Sequence, residues 1–377
     1  MTEREVIWVD TPDVFPTLLE ELHRQPTVAV DTESDNMFVY RESVALLQFS
    51  TPTRDYLVDP KSDIPLQELE AFFADPGIEK IFHAAEYDLI GLWRDFHFKV
   101  NHIFDTMQAS RILGKTRVGL AALLQEYFGV TLDKRWQRSD WGKRPLPAEQ
   151  RAYAAYDTRY LIPLRDHLYQ ELVDRGLWEL AQEDFERLSE PLEIDHTFNP
   201  QGFWHLPGVE DLAPQELRLL QALYLWREEE AKQHNVPPFR ILHNQELVTL
   251  ARRSPRSLAQ VRSFLDRKRR NDRDFVARLF RAIQKAKSLS VPTPPPRSAR
   301  PSPAYLRRLE RLRSWRRERA QVLGVESDIV LPRSAMTAIA EHAPGSLEEL
   351  RTLGVLGPVR LRLYGEEIVR LLKASND

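Results

Sequence analysis

Five side chains of this 377-residue sequence have the types and spacing that hydrolysis of a charged ester needs. Asp31 and Glu33 stand at i and i+2 at the end of Val28–Asp31 (VAVD), an apolar run that reads as a strand. Side chains alternate across a strand, so both point to one face. Tyr153 and Asp157 are four apart in a helical stretch and share a face there. Asp88 opens the helical stretch that follows another strand-like run, Lys80–His83. Ionised carboxylates gathered at one place repel by about 4 kcal/mol per pair at about 4 Å and an effective dielectric of about 20. Divalent cations turn that repulsion into ligation, and hard oxygen ligands suit Mg²⁺ or Mn²⁺. Two such ions about 3.5–4 Å apart can activate a water and stabilise the leaving oxygen of a phosphodiester. A phenol with a pKa near ~10 is a poor base at neutral pH, so Tyr153 suits orienting a water better than deprotonating it. Each piece alone is commonplace: Asp-x-Glu after a strand usually closes a loop, and Asp88 is also an ordinary first-turn helix charge. Their order and spacing together carry the reading.

Around these residues the first half alternates strand-like and helix-like stretches. Ser43–Ser50 and Asp55–Val58 are rich in β-branched and aromatic residues and read as strands. Leu66–Phe73, Tyr87–Phe96 and Gly119–Phe128 have helical spacing, and Pro147–Leu172 reads as one long helix. The pattern predicts an α/β domain with a mixed sheet.

From about Leu212 the strand signals stop. Leu217–Gln233 and Leu306–Leu323 are helical, and they belong to an internal repeat at an offset of 89 residues. Leu220 matches Leu309, Trp226-Arg227 matches Trp315-Arg316, Leu242 matches Leu331, and Ser257-Leu258 matches Ser346-Leu347. The two tryptophans, beside apolar neighbours at helical spacing, read as core. Between the copies, Pro292–Pro303 (PTPPPRSARPSP) reads as an extended linker. Charge divides the same way. Residues 1–200 hold 21 Lys+Arg against 36 Asp+Glu, a net of −15, and residues 201–377 hold 32 against 20, a net of +12. Of the basic residues 42 are arginine, whose planar fork matches phosphate oxygens. A basic half points to nucleic acid.

The sequence contains no cysteine, which excludes a disulfide scaffold, a thiolate zinc site and a thiol nucleophile and fits a reducing cytosol. No apolar run reaches the length of a membrane helix. The start MTEREVIWVD lacks an apolar signal core, so a cytoplasmic protein is expected. The GxxxxGK[ST] phosphate loop of nucleotide-driven motors is absent as well.

The segments VDTE (Val30–Glu33), HAAEYDL (His83–Leu89) and YAAYD (Tyr153–Asp157) resemble the three exonuclease motifs of the DEDD superfamily. FDTMQASRILG (Phe104–Gly114) and RSDWGKRPL (Arg138–Leu146) resemble ribonuclease D specifically, and the helical repeats resemble HRDC domains. Ala152 stands where the histidine branch of the superfamily carries its His, which leaves the tyrosine branch. One departure is Ala84, where many members have Asn. The resemblance implies a ribonuclease H-like α/β exonuclease domain with a mixed sheet over residues 1–200. It further implies two all-α HRDC bundles over 201–290 and 304–377, joined by a proline-rich linker over 291–303. It implies that Asp31, Glu33, Asp88 and Asp157 ligate two divalent ions, Mg²⁺ or Mn²⁺, and that Tyr153 positions the attacking water. The implied reaction removes nucleotides one at a time from an RNA 3′ end as nucleoside 5′-monophosphates, with tRNA precursors as substrate. A DNA 3′–5′ exonuclease and a non-catalytic RNA-binding protein are the alternatives.

Five further residues are candidate substrate contacts by their closeness to the motifs: Gln48, His83, Tyr87, Trp141 and Arg144. Asp105 reads as a structural acceptor. The nuclease half repels a polyanion at long range, so the basic half is expected to supply affinity. Residues 1–200 alone are then expected to keep the chemistry.

Overall fold

The computed structural model describes residues 4–132, 135–190, 197–296 and 300–373. Six strands, β1 (Glu5–Val9), β2 (Thr27–Ser34), β3 (Val44–Ser50), β4 (Arg54–Val58), β5 (Glu79–Phe82) and β6 (Ile103–Asp105), form one sheet in the order β1-β4-β3-β2-β5-β6. β3 runs antiparallel to both its neighbours, and the other pairings are parallel. The expected mixed sheet is present. Eight helices accompany it among the described residues: α1 (Phe15–Arg24), α2 (Leu69–Ala74), α3 (Glu86–Phe96), α4 (Thr106–Ile112), α5 (Leu120–Phe128), α6 (Ala148–Arg159), α7 (Leu161–Asp174) and α8 (Trp178–Leu188).

The period of two along β2 sets the layout. Val28 and Val30 pack into the core with Phe15, Leu18, Phe72 and Leu92 of α1, α2 and α3. Ala29 faces the other core, built on Ile112, Leu124, Leu164 and Leu168 of α4, α5 and α7. Asp31 and Glu33 have the parity of Ala29, so the strand that buries an alanine among helices ends by presenting two acids to the same side.

The stretch expected as one helix from Pro147 is two, broken at Tyr160 (φ −102°, ψ −2°). Pro163 has no N–H to give the Arg159 carbonyl four residues back, and its ring crowds that carbonyl. The freed oxygen accepts a hydrogen bond from Arg4 at 3.3 Å. α6 is fixed from below: Arg159 pairs with buried Asp55 at 2.7 Å, and Thr158 and Ser50 hydroxyls lie 2.7 Å apart.

Two compact units divide the chain: residues 1–34, 44–193 and 299–377 form one, and 35–43 with 194–298 form the other. The second unit holds the first helical repeat, with α9 (Pro214–His234), α10 (Pro238–Ile241), α11 (Asn244–Arg253), α12 (Leu258–Ser263), α13 (Arg267–Asn271) and α14 (Arg273–Ala286). Residues 291–296 and 300–302 have no regular structure, and 297–299 of the expected linker lie outside the described residues. The second repeat has α15 (Pro303–Leu323), α16 (Ser327–Val330), α17 (Arg333–His342), α18 (Leu347–Thr352) and α19 (Pro358–Lys373). The 89-residue register persists in space. Trp226 packs on Phe275 and Trp315 on Tyr364, while Arg227 and Arg316 each donate to the carbonyl of a matched leucine, Leu242 (3.0 Å) and Leu331 (2.9 Å).

The second repeat is docked on the sheet domain by a buried ion-pair cluster. Arg360, only 1% exposed, bonds Glu183 at 2.7 Å and Asp184 at 2.8 and 3.0 Å, both on α8. The other oxygen of Glu183 accepts the Val359 and Arg360 N–H groups at the N-terminus of α19, where a negative charge is favoured. Two glycines permit the close approach. A Cβ on Gly357 would sit 2.2–2.6 Å from Glu183, and one on Gly114 would sit 2.0 Å from the Gly324 carbonyl.

Candidate active site

Asp31, Glu33 and Asp157 each offer a carboxylate oxygen, and these three atoms lie within 4.8 Å of one another. Antiparallel pairing puts Gln48 of β3 directly opposite Asp31. With its amide nitrogen turned to the acceptors, Gln48 donates to the Asp31 carboxylate at 2.9 Å and the Asp31 carbonyl at 3.2 Å. Asp88 reaches the same strand from α3, and its Oδ1 accepts both the Thr32 N–H (3.0 Å) and the Thr32 hydroxyl (2.6 Å). Three of the four expected acids thus converge on one point, while the fourth is tied to the residue between the first two.

The start of α3 is held by Asp105, which caps α4 by accepting from Met107 (2.8 Å) and Gln108 (3.0 Å). The same carboxylate accepts from Ala84 (3.1 Å) and Ala85 (2.8 Å). Ala84 sits at φ +65°, a conformation that costs a non-glycine residue about 1–2 kcal/mol. The two bonds to Asp105 hold it there and aim α3, with Asp88 on its first turn. Asp105 is therefore a structural acceptor.

Electrostatics make the cluster expensive when ionised. Burial, then the charges of Asp88, Asp157 and Glu33, hold the Asp31 carboxyl well above its ordinary range. Burial and the charges of Asp157 and Asp88 do the same to Glu33. Burial also pushes Asp88 and Asp157 up to about 7, although Thr32 donates to the first and Tyr153 to the second. The largest influences on these four shifts, among the described residues, include no lysine or arginine. Desolvated carboxylates crowded on one another suit divalent metal, so the donor set fits the implied ions. Tyr153 is buried, and burial followed by the charges of Asp157, Glu33 and Asp31 pushes its phenol far up, so it stays protonated.

Asp31, Glu33 and Asp157 line a cleft of about 450 Å³ with Thr32, His83, Tyr153, the Gly119–Ala122 start of α5, Leu132 and Gln137. The α5 wall and Gln137 were not expected from sequence, because nothing in their own stretch signals chemistry. His83 Nδ1 lies 2.9 Å from the Thr106 hydroxyl, which itself donates to the Phe82 carbonyl at 3.0 Å. The imidazole must then donate through Nδ1, leaving Nε2 as the acceptor of the neutral ring, and burial keeps the ring's pKa low. The other four suggested substrate contacts are placed differently. Gln48 is fully buried beneath Asp31 and supports it. Trp141 is 1% exposed and packed by Tyr153, so it has no open face for a base. Arg144 is held by Asp59 (2.7 Å) and the Ala45 carbonyl (2.6 Å), which makes it a brace of its loop. Tyr87 is exposed, but on a separate groove of about 630 Å³ shared with Arg111, Arg187, Pro332 and Arg333.

Residues 6–173 match the family model described as 3′-5′ exonuclease, and residues 216–283 and 306–372 each match the HRDC domain. The chain carries a domain of the 3′-5′ exonuclease family. Two HRDC domains accompany its exonuclease domain. The chain is 33% identical over 264 residues to the exosome complex exonuclease RRP6 of Saccharomyces cerevisiae, covering 66% of this chain and 36% of the relative. It is 29% identical over 253 residues to a ribonuclease D of Acidiphilium cryptum, covering 67% of this chain and 64% of the relative. It therefore spans little more than a third of the yeast relative's length. The crystal structure of Escherichia coli RNase D, described as an exoribonuclease involved in structured RNA processing, superposes with a TM-score of 0.67. That match covers 99% of both chains at 24% identity and bears on the fold alone.

Proposed function

We propose that the chain is a 3′–5′ exoribonuclease of ribonuclease D type, which releases nucleoside 5′-monophosphates from RNA 3′ ends. The carrying observation is the convergence of Asp31, Glu33 and Asp157 within 4.8 Å in an exonuclease-family domain. The names of the ribonuclease D and RRP6 relatives support RNA as substrate, and tRNA precursors are the substrate proposed. In this reading Asp31, Glu33, Asp88 and Asp157 hold two Mg²⁺ or Mn²⁺ ions. When bound, such ions supply charge stabilisation and acidify water. Tyr153, held protonated by burial and by its acidic neighbours, orients the attacking water through its hydroxyl. The substrate's terminal nucleotide lies against His83 and the start of α5. Action in the cytoplasm completes the reading, and the lack of cysteine supports it. No helix among the described residues is long and apolar enough to cross a membrane.

Digestion of matched 3′-tailed RNA and DNA with Mg²⁺ or Mn²⁺ tests the proposal. Stepwise shortening of RNA to 5′-monophosphates is expected. Preference for the DNA strand would make it a DNA exonuclease, and no cleavage of either would leave an RNA-binding protein. Tyr153→Phe removes only a hydroxyl, and turnover is expected to fall on the order of 10²–10³-fold, the size seen for positioned donors elsewhere. RNA affinity should change little, and unchanged turnover would remove Tyr153 from the mechanism.

The HRDC domains would hold the RNA body, and the structure narrows which arginines are available. Arg269 is tied to Glu246 and Asp266, and Arg319 to Glu367. Arg267, Lys268 and Arg270 of α13 are exposed or partly so. Each phosphate contact on a single strand contributes about −0.7 to the slope of log K against log salt. Reversing these three charges together is expected to weaken RNA binding and flatten the slope by about 2. An unchanged slope in a salt titration would mean that this face is merely solvated.

A further inference from the structure

A continuous hydrogen-bonded path runs from the second HRDC domain to the carboxylate strand. Arg360 of α19 grips Asp184 of α8 with both terminal nitrogens, at 2.8 and 3.0 Å. The Asp184 Oδ2 that takes the second of these also accepts the Gln108 side-chain amide at 2.8 Å. Gln108 lies in the first turn of α4, and its own N–H donates to Asp105 at 3.0 Å. Asp105 holds the N–H groups of Ala84 and Ala85, which set the strained start of α3. Asp88, one turn on, accepts from Thr32 between Asp31 and Glu33. Asp184, Asp105 and Asp88 are 2%, 4% and 6% exposed, so little water is available to replace a lost link.

We propose that Arg360 and Gln108 are positioning residues for the exonuclease site: the second HRDC domain, through Asp184, fixes α4 and thereby the placement of Asp88. This rests on the proposed metal-dependent nuclease reading but makes a separate claim. The second HRDC domain is then a structural part of the catalytic unit, and its docking and metal affinity are coupled. The matched position in the first HRDC domain, 89 residues before Arg360, is the uncharged Asn271. A second tie exists as a natural control. Arg362 of α19 pairs with Glu179 of α8 on the exposed rim of the same contact, touching neither α4 nor Gln108.

The test is Mn²⁺ titration by calorimetry on the full chain, well below its melting temperature, alongside turnover on a short single-stranded RNA. Gln108→Leu removes the link from Asp184 to α4 and leaves Arg360 in place. Arg360→Lys keeps the charge and gives up the two-pronged grip. Each is expected to raise the Mn²⁺ concentration for half-saturation about three- to tenfold, in the range reported for outer supports of metal ligands and long-range networks. Turnover should drop at fixed sub-saturating Mn²⁺ and recover at high Mn²⁺, with the KM for RNA unchanged. The double variant should be no worse than the weaker single one, since one path broken twice is broken once. Glu179→Ala, which loosens the rim of the contact but not the path, should leave Mn²⁺ affinity unchanged. Unaltered Mn²⁺ affinity in both folded single variants would overturn the proposal, as would an equal loss in Glu179→Ala or strict additivity in the double variant. Should the wild type bind Mn²⁺ but degrade no RNA, the nuclease reading fails, while the calorimetry still decides the coupling.

Discussion

Replacing any one of Asp31, Glu33, Asp88 or Asp157 by alanine is expected to abolish RNA hydrolysis and leave the fold standing. The second half of that expectation is the less usual one, since buried polar residues are generally costly to remove. Here the ordinary rule reverses in metal-free protein, because the folded state raises these pKa values. Asp157 moves from an ordinary 3.8 to about 7. A raised carboxylate contributes its full stability below the unfolded pKa and loses it as pH climbs through the folded one. In chelator, wild-type stability should therefore decline between about pH 4 and pH 7, by an amount on the order of a few kcal/mol for the cluster. Asp157→Asn keeps the shape without the charge. It should melt above the wild type at pH 8 in chelator and show no such advantage at pH 4. Adding Mn²⁺ should invert the order at pH 8, because the wild type gains binding free energy that the variant lacks. Thermal melts of the two proteins at both pH values, with and without Mn²⁺, check this. A wild type that is the more stable at pH 8 in chelator would mean the acids are not held as a strained, metal-awaiting set.

Arg360→Ala is expected to be the most damaging substitution outside the site. It takes the buried guanidinium from Glu183 and Asp184, leaving Asp184 with the half-exposed Arg187 and the Gln108 amide. Breaking a buried pair from one side typically costs about 3–5 kcal/mol, a large share of the stability of an ordinary domain. Urea denaturation should show the midpoint falling accordingly. A loss below about 1 kcal/mol, the size of an exposed pair, would mean the cluster is solvated in solution. The same cluster bears on residues 1–200 as an isolated fragment. That fragment retains every candidate ligand, yet Glu183 and Asp184 lose Arg360, and the apolar contact of Ile329 with the core of α4, α5 and α7 is lost too. It is expected to melt well below the full chain, so lower activity in it would not by itself report on RNA affinity.

The residue pattern alone determined a good deal. Alternation along Val28–Glu33 put Asp31 and Glu33 on one face, and the i, i+4 spacing put Tyr153 beside Asp157, because both periods are properties of the local backbone. The 89-residue repeat likewise carried through into matched tryptophan and arginine contacts in the two HRDC domains. Local signals erred where a single residue overrode a period, as Pro163 did in splitting the long helix at Tyr160. The substrate contacts fared worst. Closeness in sequence to a motif says nothing about which way a loop folds, and Trp141 and Arg144 turned inward to pack and to brace. Tertiary structure alone decided that three acids converge while Asp88 is tied to Thr32, since that depends on where Asp105 pins the start of α3. It also decided what Arg360 of the second repeat meets. Its guanidinium, where the first repeat has Asn271, has meaning only because α8 brings two buried carboxylates from some 176 residues away to meet it.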